Sequence, residues 1–400
     1  MMSKNMPRLR LLGCALLALC ASCTLAPEPV HNEGSEEGNR DDDSTQAATC
    51  KTDLTQALAD LDVPGLSVAI VNGSDIVCTG VAGMANVEEG RAVSPDTVFA
   101  WASVSKAVTA AAVMTLVDEA GIDLDVDLNT FLSFPVRNPH CPDEPITLRH
   151  LLTHTSSIID NDSLYYAHYT DGDSPISLER FVRGYLQPGG EYYDSEANFA
   201  KECPGTVNEY SNIAVGLLGR WVEEVAAKPF DTLCQDRIFG PLDMNESSFH
   251  LAGLSNSTLA VPYERGSGSG WQSLGHAGFP TYPDGLLRTS APDLARFLSM
   301  MIEEGELDGQ RILSLAAVEE MHKLQVPDLD DTQGLLWYYD YNDSLFGHDG
   351  SDPGTSSLMF FDPDDGVGVV MVANGDWYDD DDDSPGADAL LSLLLAEARE

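Results

Sequence analysis

The chain has 400 residues, of which 43% are apolar and 8% aromatic, enough for one large or two modest cores, and this excludes a peptide or a wholly disordered chain. Lys and Arg number 21 against 65 Asp and Glu, a formal charge of −44, so the field around the protein repels phosphate backbones and anionic lipid surfaces, and no nucleic-acid partner is expected. The acids are spread over the whole length between apolar segments, the pattern of a folded domain with an acidic surface rather than of an acidic tail.

The chain opens with an address. Lys4, Arg8 and Arg10 form a basic start, Leu11 to Leu19 an apolar stretch too short to span a bilayer, and Ala21-Ser22-Cys23 a small-residue cleavage site. This predicts a bacterial export signal over residues 1–22. Leu19-Cys20-Ala21-Ser22-Cys23 resembles a lipobox, with Cys20 where leucine is usual, so lipidation at Cys23 is expected, simple cleavage being the alternative. The expected location is periplasmic or an outer-membrane lipoprotein, or outside the cell. Residues 23–49 are rich in acids, Gly, Ser and Pro and poor in large apolar side chains, and read as a disordered tether.

Cys50, Cys78, Cys141, Cys203 and Cys234 remain for the exported domain. Five is odd, and spacing alone leaves the pairing open; Cys141 and Cys203, each before a proline in a loop, are the expected bridge. No Cys/His spacing suggests zinc.

Folded structure begins at about residue 50. A short helix is predicted over 53–62, then two strands, LSVAIVN and DIVCTGVAG, joined at Asn72-Gly73. The Ala, Met and Leu content of WASVSKAVTAAAVMTLVDEAG and its closing Gly121 predict a helix from about Ser103 to Ala120. Residues 146–260 read as mostly helical with long loops, followed by a flexible GSGSG at Gly266 to Gly270. A helix over about 291–304 is opened by Thr289, Ser290 and Pro292; SSLMFF and VGVVMVAN read as strands, and ALLSLLLAEARE as a final helix. Strands at both ends with helices between predict one discontinuous α/β domain over 50–400, its α/β part at about 50–102 and 270–400 and its helical part at about 103–269.

Three elements carry chemistry. Ser103 and Lys106 stand three apart at a helix start, where they share a face and where backbone N–H groups favour developing negative charge. Tyr210-Ser211-Asn212, the only Tyr-x-Asn among thirteen tyrosines, precedes an apolar helical run. His348-Asp349-Gly350 stands just before a predicted strand.

In this order the three motifs resemble those of the serine β-lactamase and penicillin-binding-protein superfamily, closest to its class C β-lactamase, DD-peptidase and esterase branch. The likeness runs over roughly residues 53–400 and includes ITLRHLLTHTSS and YPDGLLRTSAPDLARFL. It implies an antiparallel sheet flanked by helices with a mostly helical inserted subdomain. It also implies that Ser103 attacks a carbonyl and is acylated, that Lys106 and Tyr210 shuttle its proton, with either as the base, and that Asn212 holds Lys106 and the substrate amide. The N–H groups of Ser103 and Ser351 would form the oxyanion hole. No cofactor and no metal are implied. The partners expected are small-molecule or peptidoglycan-related esters or amides, and the expected state is a monomer.

The third motif departs from the family's Lys-Thr-Gly. His348, with Gly350 and Ser351 a substrate-binding candidate, is a weaker carboxylate ligand than lysine, and Asp349 would repel a carboxylate if it faces the site, with a side chain turned away as the alternative. This favours esters, or peptides held by their amino end, over penicillins. HTSS at 154–157 ends in serine where relatives usually show glycine. His150 and His154 lack the glutamate of a zinc helix, DLDVDLN lacks the glycine and glutamate of a calcium loop, and the Asp379 to Asp383 run reads as a solvated loop. Two classes remain open: an exported serine hydrolase, and a penicillin-recognising binding or sensor protein without turnover. The intact Ser103, Lys106 and Tyr210 favour the hydrolase.

Overall fold

The structure is a computed structural model that describes residues 47–266, 270–340, 344–377 and 384–400. The export signal, Cys23, most of the tether, the middle of the GSGSG segment and the Asp379 to Asp383 run lie outside the described residues.

The central sheet has the strand order Ala48–Thr49, Asp75–Asn86, Gly65–Asn72, Val367–Ala373, Thr355–Asp362, Leu345–Asp352, Tyr338–Asp340. Every pairing along it is antiparallel except that of the short first strand, and Arg91–Ala92 adds to one edge. The first and last parts of the chain are neighbours because Gly65–Asn72 pairs with Val367–Ala373 over its whole length. The two central strands are apolar on both faces, and they read as continuous apolar runs because both faces are covered. Val68, Ile70, Val369 and Met371 face one core, under helices α1 (Leu54–Leu61) and α10 (Pro385–Ala398). Ala69, Val71, Val370 and Val372, alternating with them, face the larger core.

That larger core is built from α2 (Ser105–Ala120), α3 (Leu148–Leu152), α4 (Asp162–Tyr166), α5 (Leu178–Leu186), α6 (Asn212–Ala226), α7 (Phe230–Cys234), α8 (Ala291–Ile302) and α9 (Leu315–His322). Helix α2 is buried continuously from Ser105 to Val117, so it has no polar face, and Gly121 ends it in the left-handed conformation. Ser290 caps α8 by accepting from the Asp293 amide. The fold is the expected one, an antiparallel sheet flanked by helices with a mostly helical insertion.

Local differences have local reasons. The predicted helix start at Ser103 is instead a 3₁₀ turn, Ala102–Val104, and α2 begins at Ser105. His348-Asp349-Gly350 precedes the expected strand, Thr355–Asp362, but itself lies inside another, Leu345–Asp352, whose two glycines and polar residues mask the strand signal. Ala48–Thr49 already pairs with Cys78–Thr79, so the ordered chain starts before residue 50.

Cys141 and Cys203 form the expected disulfide. Cys50 and Cys78 form a second, pinning the first strand, and Cys234 is free and buried in α7. Asp125 and Asp127 of the calcium-like alternation are occupied by Arg149 and Arg137. Among the described residues no helix is long and apolar enough to cross a membrane.

Candidate active site

The nucleophile candidate sits on a turn wedged between sheet and helices. Trp101 donates its amide to the Leu287 carbonyl at 2.9 Å and its indole N–H to the Thr289 carbonyl, and its own carbonyl accepts from Ser357 Oγ at 2.8 Å. The next residue, Ala102, is buried at φ 42°, a left-handed conformation that costs a residue with a Cβ about 1–2 kcal/mol. Strain held by such surroundings is typical of a functional turn. It brings the half-buried Ser103 to the N-terminal end of α2.

Lys106, one turn along and fully buried, donates to Ser103 Oγ at 2.9 Å and to the main-chain oxygen of Asp284 at 2.8 Å. Thr109, a further turn along, donates to the Pro283 carbonyl, so two side chains of α2 grip the 282–284 turn. The Tyr210 hydroxyl donates to Ser103 Oγ at 2.8 Å, and Lys106 Nζ lies 4.9 Å from the centre of its ring. Tyr210 is 49% exposed, while its hydroxyl is held against Ser103. Burial pushes its ionisation up, and the pull of Lys106 in the other direction is smaller. The nearby ammonium therefore does not leave Tyr210 easily ionised, as the sequence had left open.

Helix α6 positions Tyr210 and Asn212. Ser211 caps it, accepting from the Ala214 amide, and Asp160 accepts from Ser211 Oγ at 2.8 Å and from the Asn212 and Ile213 amides. His154 stacks on Tyr210 with ring centres 4.4 Å apart, and its Nδ1 accepts from the Ser211 amide. Burial holds His154 well below the usual imidazole range, consistent with that accepting nitrogen. Among the described residues no hydrogen bond joins the Asn212 amide to Lys106; Asn212 lines the cleft instead.

The strand Leu345–Asp352 forms the opposite wall. Gly350 packs on the nucleophile turn, and Ser351, exposed, lines the cleft beside Ser103. His348 is 3% exposed; burial lowers its pKa to about 4, so it is a neutral imidazole at neutral pH and no lysine substitute. Asp349 accepts from the Tyr338 hydroxyl on the edge strand, and one of its carboxylate oxygens lies 4.0 Å from His348 Nδ1.

The acids that do line the cleft are ones the sequence did not single out. Its walls carry Ser103, Asn212, Gly285, Ser351, Tyr165, Tyr166, Tyr169, Phe279, Asp284 and Asp352. The Tyr165 hydroxyl donates to Asp284 at 2.9 Å, and the Tyr169 hydroxyl to Asp352 at 2.8 Å. Burial raises both carboxyls to about 7. Tyr169 and Asp352 also wall a neighbouring cavity of about 300 Å³, with Arg288, His276, Leu274 and Pro262. The only signal for these acids in the sequence was their closeness to motifs: Asp284 inside YPDGLL and Asp352 two residues after Gly350. The only cluster of potential metal ligands among the described residues, Cys50, Cys78 and Glu397, includes the two halves of a disulfide.

The family model described as Beta-lactamase matches residues 51–393. The chain belongs to the beta-lactamase family. Penicillin-binding protein 4 of Amycolatopsis lactamdurans is 29% identical over 338 residues, 78% of this chain and 81% of that protein. Among solved structures, the octameric penicillin-binding protein homologue from Pyrococcus abyssi superposes with a TM-score of 0.67 at 26% identity, over 86% of this chain and 76% of its own. The D-amino acid amidase from Ochrobactrum anthropi SV3, determined with L-phenylalanine amide, gives a TM-score of 0.64 at 20% identity over 87% and 99%, which shows the shared fold. The family is one of serine hydrolases built on this fold, and the sequence resemblance to it holds.

Proposed function

We propose that the protein is a serine hydrolase that works through an acyl-enzyme on ester or amide bonds. One observation carries this reading: Ser103 Oγ is within hydrogen-bond distance of both Lys106 Nζ, at 2.9 Å, and the Tyr210 hydroxyl, at 2.8 Å. A nucleophile needs a group that takes its proton and a group that stabilises the charge left behind, and the Lys106–Tyr210 pair supplies both at one atom.

In the first step Ser103 Oγ forms a bond to the substrate carbonyl carbon while its proton passes to the Lys106–Tyr210 pair. The developing oxyanion faces the N–H groups of Ser103 and Ser351, on opposite walls of the cleft. Collapse breaks the bond to the leaving oxygen or nitrogen, which departs with the proton. Water then attacks the ester on Ser103, giving up a proton to the same pair, and the acid is released with Ser103 restored.

The neutral His348 and the acids Asp284 and Asp352 favour substrates without a carboxylate at the cleft, hence esters or amides over penicillins. The leader sequence and the two disulfides favour an exported, oxidising location.

The test is intact-protein mass spectrometry of wild type and Ser103→Ala after exposure to a fluorophosphonate and, separately, to a penicillin. Fluorophosphonate labelling that vanishes in Ser103→Ala, with a poor penicillin adduct, is expected. A wild type labelled by neither reagent overturns the acyl-enzyme reading.

A further inference from the structure

The cleft beside Ser103 holds more acid than base. Asp284 is 1% exposed, and its Oδ2 is buried without a hydrogen-bond partner, although Oδ1 accepts from Tyr165. Asp352 accepts from Tyr169 on the other side of the same cleft. Asp160, half-buried like Asp352, adds a third carboxylate under α6, and the field of one lysine, Lys106, reaches all three. Arg288 reaches Asp352 but spends its N–H groups on the carbonyls of Phe249, Leu286 and Ala277. A buried carboxylate that lacks a full complement of partners is costly unless a cation arrives to complete it.

Aromatic rings surround these acids. Tyr169 stacks on Phe279 with ring centres 4.7 Å apart, Tyr165 lies 5.6 Å from both, and Tyr166 lies 5.4 Å from Tyr169. Tyr166, at 57% exposure, forms the outer lip of the cleft. Ring faces beside carboxylates attract a compact cation, more strongly where water is excluded. The narrowness of the cleft, about 40 Å³, limits that cation to a small group such as a primary ammonium.

Ser103 lines the same cleft as Asp284 and Asp352, so an ammonium held there lies near a carbonyl presented to Ser103.

We propose that Asp284 and Asp352, with the rings of Tyr165, Tyr166, Tyr169 and Phe279, form a subsite for an ammonium group on the carbon next to the scissile carbonyl, making α-aminoacyl esters or amides the substrate class. The inference deepens the hydrolase reading and rests on it for the identity of the scissile bond, whereas the ammonium site itself is tested without turnover. The shape-matched neutral control replaces the ammonium by a methyl group.

Titration calorimetry of the Ser103→Ala protein with D- and L-alaninamide and with isobutyramide reads the site directly. At least one alaninamide enantiomer is expected to bind at least tenfold tighter than isobutyramide, and that advantage is expected to shrink at least tenfold when Asp284→Asn or Asp352→Asn is added. Equal binding of the charged and neutral amides, or no binding of either alaninamide, overturns the subsite, and this arm needs no carboxylate variant to fold. In the catalytic arm, wild type is assayed on alanyl and isobutyryl p-nitrophenyl esters, each corrected for its uncatalysed rate. A preference for the alanyl ester that falls in Asp284→Asn and Asp352→Asn mainly through KM supports the subsite, whereas equal losses on both esters identify the acids as supports of Lys106 and overturn it. If alaninamide binds as expected while Ser103→Ala still hydrolyses the esters, the nucleophile assignment fails and the ammonium site stands.

Discussion

Gly350 lies so close to Ser103 that a Cβ at position 350 would stand 2.7 Å from the Ser103 amide nitrogen and 2.9 Å from the Trp101 carbonyl oxygen. Both neighbours are backbone, held by the Trp101 and Ser357 hydrogen bonds, so neither yields easily. Gly350→Ala is expected to lower stability by about 1–3 kcal/mol. It is also expected to cut kcat/KM about 100-fold by moving the nucleophile turn away from the opposite wall. Denaturant unfolding and steady-state hydrolysis check the two parts, and full activity in a folded Gly350→Ala protein would show that this contact does not set the nucleophile.

In the proposed reaction Tyr210 acts through its hydroxyl alone. Phenylalanine keeps the ring stacked on His154, so Tyr210→Phe is expected to leave unfolding unchanged while lowering kcat about 100- to 1,000-fold with KM within a few fold. Near-normal kcat would assign the proton transfer to Lys106 by itself.

Asp284 couples stability to pH. Its folded pKa of about 7 lies above the ordinary 3.8, so between these values the folded protein holds a proton that the unfolded chain has lost. The destabilisation is absent below pH 4, grows through that window and is complete above pH 7. Burial pushes it up, with Asp160 in the same direction, and outweighs the opposing pull of Lys106, Thr281 and Tyr165. Asp284→Asn is therefore expected to raise stability by ~1–3 kcal/mol at pH 8 and by little at pH 4. A gain that is the same at both values would contradict the buried carboxyl. The same substitution weakens the proposed ammonium site, an exchange of stability for function often seen in binding clefts.

The disulfides close loops of different length, 28 residues for Cys50–Cys78 and 62 for Cys141–Cys203. Chain entropy makes the second worth about 4 kcal/mol and the first about 3.5 kcal/mol. Cys203 leads through Gly205, whose amide donates to the Thr155 carbonyl, toward Tyr210. Replacing Cys141 and Cys203 by serine should thus lower both the unfolding midpoint and turnover, whereas the Cys50 and Cys78 pair, far along the sheet from Ser103, should lower the midpoint alone.

Ser157 shows how one residue read in the sequence acquires a physical meaning in the fold. It stands where the resemblance to the family implies glycine, and its φ is 60°, the left-handed region that glycine enters at no cost. Its hydroxyl accepts from Asn138 Nδ2 at 2.9 Å and donates to the Ser156 carbonyl, which ties down the buried turn beside His154. The departure from the family pattern thus sits in a buried turn held by its own hydrogen bonds.

Local chemistry was legible wherever a few adjacent residues decide the outcome. Asn72-Gly73 marked the hairpin between the first long strands, Gly121 the end of α2, Ser290 and Pro292 the start of α8, and each lies where it was expected. Ser103, Lys106 and Tyr210 were recognisable by residue type and order, and they meet at one oxygen. The strand carrying His348 and Gly350 was not legible, because Gly350, packed against Ser103, and Gly347, packed against Met359 and Phe360, erase the apolar alternation that marks a strand.

The sequence by itself determined the family, the order of elements and the residue types of the proposed nucleophile and its proposed proton partners, since these depend on short-range patterns. Only the tertiary structure decided which acids matter. Asp349, in the motif, turns to Tyr338, while Asp284 and Asp352, from distant segments, face the cleft with Tyr165 and Tyr169. Burial and the field of Lys106 set their protonation, and both are properties of what packs around a carboxylate from elsewhere in the chain, not of its neighbours in sequence.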